Sequence, residues 1–259
     1  FQLSPVDKNA NNGLLDHPHI FLDEIMRQAA ENDIIQLSMQ IREQNTLQPF
    51  KGHDAVVIRQ KDLNTGVLQW GDQILTATNL KRQTINTQMR QLLDYPNHPV
   101  DGDKMICLRN YWEDFSVGGD PLVNGTIGIL NNSFQTWRQI PPIVKSNIKK
   151  FDVLTGDLII PDTNDMYDLV DMDQKMILTG NKCCGWQLSY KLGKLRLKYG
   201  DLVPKEFAYA YAITCHKAQG SSWPNVVVLE ESFPFDKIEH TRWLYTACTR
   251  AEKKLVLVR

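Results

Sequence analysis

No stretch of the sequence comes near the roughly 18 consecutive apolar residues that a membrane-crossing helix needs, and no basic-then-apolar segment opens it, so no membrane partner is expected. Charge of one sign is missing too: 29 Lys and Arg stand against 30 Asp and Glu, a formal net charge of −1. Contact with a polyanion must then come from a local basic strip and not from the overall field. The five cysteines, Cys107, Cys183, Cys184, Cys215 and Cys248, are odd in number, with no C-x-x-C pair and no His at zinc spacing. This argues against a disulfide framework or a metal site and for reduced, buried thiols in a cytosolic-type compartment. A nucleotide-holding G-x-x-x-x-G-K-[ST] loop is absent: the nearest pair, Gly193-Lys194, is followed by Leu195 and lacks the upstream glycine. No internal repeat or low-complexity tract stands out.

What is present reads as globular. A 42% hydrophobic fraction over 259 residues can fill one large core or two smaller ones. Leu22, Ile25, Met26 and Ala29 follow helical spacing, and Ile34, Leu37 and Ile41 repeat it, which predicts helices over residues 21–30 and 33–43. Short apolar runs predict strands over 54–59 and 73–77, the second leading into a helix over 80–93 with Ile85, Met89 and Leu92 on one face. Near the end come a strand over 209–213, at most a short helix over 215–219 closed by Gly220, and Val226 to Leu229, apolar on both faces like a central parallel strand. A helix over 239–250 and a strand over 255–258 finish the chain. Strands alternating with helices at both ends predict a doubly wound α/β sheet. Between them, residues 102–204 show short strands and turns, with Asn124-Gly125 as a tight turn, and read as a β-rich, barrel-like insertion. The division is then 1–101, 102–204 and 205–259.

In an open parallel sheet, ligands gather at the carboxyl ends of the strands. The stretch AYAITCHKAQGSSWP, residues 210–224, lies at such an end, and Thr214, His216 and Lys217 supply hydroxyl, imidazole and ammonium donors suited to a nucleic-acid backbone. A second strand end carries Thr78 and Asn79, with Lys81 and Arg82 in the next helix's first turn. A cation there opposes the helix dipole unless an anion is expected; solvated surface is the alternative. Two such ends on one sheet predict a track for a single strand. Arg250, late in its helix, reads by itself as dipole compensation worth under about 1 kcal/mol.

Taken together these stretches resemble a known family. ITCHKAQGSSWPNVVVLEE resembles motif V of the superfamily 1B helicases of the RecD/Dda type, and LYTACTRAEKKLVLV resembles their motif VI, in the usual order and spacing. FQLSPV is similar to the tail of motif III without its Gly-Asp, FLDEIMRQAAENDIIQLSMQIR to the motif IV helix, and GDKMICLRN with NGTIGIL to the entry of the SH3-like insertion of the second RecA-like domain.

The resemblance implies a fold, a RecA-like parallel sheet with helices on both faces interrupted by an SH3-like insertion, and an activity, ATP-dependent 5′–3′ DNA unwinding or translocation. It also implies roles. Gln2, Arg27 and Arg250 would sense the γ-phosphate, the arginines as fingers whose planar guanidinium suits bidentate phosphate binding. Gln219, Gly220 and Ser221 would face the nucleotide, while Thr78, Asn79, Arg82, Thr214, His216 and Lys217 would touch single-stranded DNA. Ser222 stands where many relatives have Glu. ATP and Mg²⁺ would be held mainly by an N-terminal RecA-like domain of the same protein. The chain, which starts at Phe1, is expected to be a piece cut within motif III, without ATPase activity by itself, from a bacterial or phage-infected cytoplasm.

Two other readings compete. Pro161-Asp162 followed by Asp173-Gln174-Lys175 matches the PD-(D/E)xK pattern of metal-dependent nucleases, whose carboxylates hold Mg²⁺ while the lysine steadies water, although no clear strand pair is expected to present it. A non-enzymatic single-stranded DNA-binding module is the other, with Tyr209, Tyr211 and Trp223 as stacking candidates and core packing as the plainer role of Tyr209. Asp23-Glu24 in HIFLDEIM imitates a Mg²⁺-binding strand end, but no phosphate loop precedes it and Arg27 follows at the motif IV spacing.

Overall fold

Local capping sets where the helices begin. Asn32 Oδ1 accepts the Ile34 amide at 2.8 Å, starting α1 (Asp33–Gln44), whose Ile34, Leu37 and Ile41 stripe is buried. The computed structural model describes residues 32–44, 50–195 and 202–259. There follow β1 (Ala55–Ile58), α2 (Thr65–Trp70), β2 (Gln73–Thr76) and α3 (Asn79–Leu92). Next come β3 (Lys104–Cys107), β4 (Tyr111–Phe115), β5 (Pro121–Leu122), β6 (Ile127–Gln139), β7 (Lys150–Ile160), β8 (Asp165–Asp173), α4 (Gln174–Thr179) and α5 (Trp186–Gly193). The chain ends with β9 (Phe207–Tyr209), β10 (Ala212–Thr214), a 3₁₀ turn over Cys215–Ala218, β11 (Trp223–Leu229), α6 (Lys237–Cys248) and β12 (Ala251–Val258).

Five strands form one wholly parallel sheet in the order β1-β12-β11-β2-β10. β11 is its middle strand and alternates between two cores. Val226 and Val228 pack with α1 and α6 residues such as Leu37 and Leu244 on one face. Val227 and Leu229 pack with Leu68, Ile85 and Met89 of α2 and α3 on the other. Helices therefore cover both faces, as the all-apolar run 226–229 predicts. Among the described residues no helix is long and apolar enough to cross a membrane.

The intervening residues form a second, antiparallel sheet in the order β8-β7-β6-β3-β9, with β4 and β5 as a separate hairpin. Its strands are longer than expected, 13 residues in β6, 11 in β7 and 9 in β8, because their polar outer faces hide the strand signal. The sheet curls far enough that Lys205, just before β9, bridges in parallel to Met172 of β8. Asp173 N–H donates to Lys205 O at 2.8 Å and Lys205 N–H to Asp171 O at 2.7 Å.

One strand expectation is corrected. Residues 209–213 are not a single strand: β9 pairs with β3 in the antiparallel sheet, whereas β10 pairs with β2 in the parallel one. The crossing at Ala210 and Tyr211 keeps one backbone bond to each sheet, Ala210 N–H to Lys104 O at 2.7 Å and Ile74 N–H to Tyr211 O at 3.3 Å, and two buried amides add to them. Gln73 Nε2 donates to Ala210 O at 3.0 Å and Tyr211 O at 3.1 Å; Asn86 Nδ2 donates to Tyr209 O and Ala212 O, each at 3.0 Å. Beside them the buried Arg90–Asp103 pair, 2.8 Å apart, takes a further bond from the Tyr211 hydroxyl at 3.0 Å.

Candidate nucleic-acid and nucleotide interface

The parallel sheet sends the carboxyl ends of β2 and β10 to the same place, because the two strands pair in register from Ile74–Ala212 to Thr76–Thr214. The chain leaves β2 through Thr78, which caps α3 by accepting the Lys81 amide at 3.2 Å. It leaves β10 through Thr214 into the 3₁₀ turn, closed by Gly220 at φ +88°, a left-handed conformation glycine adopts without strain.

Between these ends lies a cavity of about 330 Å³, lined by Asn79, Arg82, Thr214 and Lys217 together with apolar Ile106 and Ile213. Four of the six residues expected to touch a single strand are thus brought together. Arg82 Nε is buried without a hydrogen-bond partner, and burial lowers the guanidinium from its ordinary value. Lys217 Nζ donates to Leu108 O at 3.4 Å and to Asn124 Oδ1 in the tight turn of residues 124–125. Burial also lowers the Lys217 ammonium, and the nearby Arg82 charge pushes the same way. Among the described residues neither cation is in an ion pair. Two desolvated cations on one cavity, without a carboxylate, make a site that favours an anion.

The remaining two strand-contact candidates stand differently. His216 is exposed and turns to the other side of the 3₁₀ turn, where it shares a small crevice with Gln219, Arg242 and Thr246. The Thr78 hydroxyl is already engaged, donating to Glu231 Oε2 at 2.6 Å, while the amides of Ala77 and Thr78 donate to Glu231 Oε1 at 2.6 and 3.0 Å. Glu231, just past the end of β11, is a site residue that sequence reasoning missed. Its carboxylate, where the sequence reading expects a phosphate, takes the donors at the N-terminus of α3, and only the neighbouring of β11 and β2 in the sheet reveals it.

Of the residues expected to face a nucleotide, Gln219 and Gly220 are exposed, and Ser221 N–H closes the turn onto Ala218 O at 3.1 Å. Arg250 sits just beyond α6. Its Nε donates to Thr246 O at 3.1 Å, the dipole compensation its position suggests, and Nη1 reaches Ser221 O at 3.2 Å, tying the last helix to the turn. Among the described residues its partners are all neutral acceptors, including Thr249 Oγ1 at 3.3 Å. The Ser222 hydroxyl bonds to Glu252 of β12. Gln2, Arg27 and the pair Asp23-Glu24 lie outside the described residues.

The nuclease pattern is corrected on both counts. A strand pair does present it, β7 with β8, but register places its parts far apart: Asp162 follows the Ile160–Asp165 pair at the turn, and Asp173 pairs with Val153 at the other end. Eight steps of about 3.3 Å separate the two ends of β8 by roughly 26 Å, too far for one Mg²⁺. Asp173 instead caps α4 through Met176 N–H at 3.0 Å and accepts Cys183 N–H at 2.8 Å. Among the described residues no cluster of three or more His, Cys, Asp or Glu could hold a metal. Gly193 and Lys194 close α5 and form no phosphate loop. Of the stacking candidates, Tyr209 lies under Arg90 at 4.3 Å, Tyr211 is tied to Asp103, and Trp223 packs against the core.

Residues 209–258 match the family model of the UvrD-like helicase C-terminal domain. A 54-residue stretch is 44% identical to an uncharacterized protein of Methanocaldococcus jannaschii, covering 21% of this chain and 4% of that protein. Among solved structures, the Pif1 helicase of Candida albicans is similar at 15% identity and a TM-score of 0.45, over 91% of this chain and 55% of its own. A Bacteroides Pif1 helicase solved with ADP-AlF3 and single-stranded DNA is similar at 12% identity and a TM-score of 0.42, over 88% and 49%. The chain spans about half the length of these helicases. The superfamily 1 resemblance read from the sequence therefore stands, on residues 209–258, as a match to the UvrD-like helicase C-terminal domain.

Proposed function

We propose that this chain is the C-terminal motor portion of an ATP-dependent 5′–3′ DNA helicase or translocase of the superfamily 1B, RecD/Dda type. One observation carries the reading: Asn79, Arg82, Thr214 and Lys217, from two strand ends of one parallel sheet, converge on a cavity that holds two cations and no carboxylate. A backbone phosphate of single-stranded DNA is the ligand that would pair with the Arg82 and Lys217 cations lining this cavity. The match of residues 209–258 supports the same assignment.

In this reading Gln219, Gly220 and Ser221 face ATP, and Arg250, whose partners among the described residues are all neutral, keeps its charge for the γ-phosphate, with Arg27 and Gln2. Mg²⁺ and most of the nucleotide contacts belong to an N-terminal RecA-like domain of the same protein. Hydrolysis supplies the free energy of stepping. This chain's residues hold the strand, and the Arg250–Ser221 bond passes a shift of the arginine to the turn that bears Thr214 and Lys217.

The test is binding of a fluorescent oligonucleotide across a salt series. Weak, salt-sensitive single-strand binding is expected without ATPase activity. Arg82→Ala and Lys217→Ala should each weaken it and reduce the salt slope by about 1. Binding that ignores both substitutions would reject the proposal.

A further inference from the structure

The strand-end cavity does not stand by itself. A second cavity of about 260 Å³ shares Arg82, Gln83, Met176 and Gly180 with it. A third, of about 670 Å³, shares Leu178 and Thr179 with the second. The three are adjoining cavities that follow one another around α4, from the parallel sheet to the outer part of the β6–β7 ladder. Gly180, which ends α4 at φ +75°, lines both the first and the second cavity.

At the far end stands Trp137, 53% exposed. Lys150 Nζ lies 5.8 Å from its ring centre, and Lys175 of α4 lines the same cavity. Neither lysine is in an ion pair among the described residues. Asp152, opposite Trp137 in the ladder, is the one carboxylate that competes. An exposed aromatic ring flanked by unpaired ammonium groups fits an unpaired base with its phosphates, since every base offers a π-face and the contact needs no sequence.

We propose that these cavities form an extended binding site for one nucleic-acid strand, which continues from the Arg82 and Lys217 pocket over α4 and stacks a base on Trp137, with phosphates at Lys150 and Lys175. The inference rests on the single-strand reading above and lengthens the site by a stretch carried on the antiparallel sheet.

Oligonucleotides of about 6 and about 20 nucleotides test it. Trp137→Ala should lower affinity for the longer one by about five- to tenfold and leave the shorter unchanged, while Trp137→Phe keeps most of it. Lys175→Glu should act in the same direction, and serves if Trp137→Ala does not fold. Equal affinities for the unsubstituted chain and both Trp137→Ala and Lys175→Glu at both lengths, with Arg82→Ala still weakening binding, overturns the extension and leaves the strand-end site intact. A loss on the short oligonucleotide as large as on the long one also overturns it. If Arg82→Ala has no effect at either length, the single-strand reading falls as well.

Discussion

Arg82 shows what the strand-end site costs the free protein. Its guanidinium is half-buried, Nε has no acceptor, and no carboxylate among the described residues pairs with it. An unsatisfied buried donor costs about 1–3 kcal/mol. Replacing it with an apolar chain of similar length should therefore help the fold while harming the site. Arg82→Met is expected to raise stability to urea by about 1 kcal/mol and to weaken oligonucleotide binding in the same preparation; loss of both together would mean that Arg82 is structural. The position was legible in the sequence because a cation in the first turn after a strand opposes the helix dipole. Glu231 was not, since its contact with Thr78 spans 153 residues and exists only because β11 lies beside β2. The sequence also does not separate His216 from its neighbour Lys217, which leaves the tight turn in another direction.

Among the elements, the loop from β2 to α3 owes its shape to the Glu231 carboxylate, which takes three donors at once. Glu231→Ala would leave the Ala77 and Thr78 amides without their acceptor and should cost about 1–3 kcal/mol in urea denaturation. Glu231→Gln keeps one carbonyl oxygen and should recover part of that. Should Glu231→Ala prove neutral, water can replace the carboxylate and the loop does not depend on it. Long regular elements such as α1, α3 and β11 could be read from periodicity, because each buries its own stripe. The alternation Tyr209-Ala210-Tyr211-Ala212 looks like one strand, and nothing local marks its break. The amides that split it, Gln73 and Asn86, arrive from more than 120 residues away.

On the scale of the whole molecule, the two sheets meet where buried ionisable groups collect, and this fixes how stability should respond to alkali. Lys104 starts β3 and donates to Asp72 O at 2.8 Å and Gln73 Oε1 at 3.0 Å, across to the parallel sheet; burial pulls it down to about 8 from 10.5. Between these values the unfolded chain holds a proton that the folded chain has lost, so this group makes stability rise with pH. Buried thiols act the other way. Burial pushes Cys107 up to about 12 and Cys215 up to about 11 from 9, so their contribution is complete below pH 9 and is lost as pH climbs through 11 and 12. Burial raises Tyr111, Tyr209 and Tyr211 above their ordinary value of 10, which adds to the fall. Each group contributes a slope of at most about 1.4 kcal/mol per pH unit. With Lys104 and Lys217 making stability rise with pH, and the thiols of Cys107, Cys215 and Cys248 together with the three tyrosines making it fall above about pH 9, urea midpoints should increase from pH 7.5 to about 9 and decrease by 10.5. Lys104→Met should reduce the rise and keep the fall, whereas Cys107→Ala with Cys215→Ala should lessen the fall and keep the rise. A midpoint that already declines between pH 7.5 and 9 in the unsubstituted chain would mean that Lys104 is solvated and that the junction between the sheets is open to water.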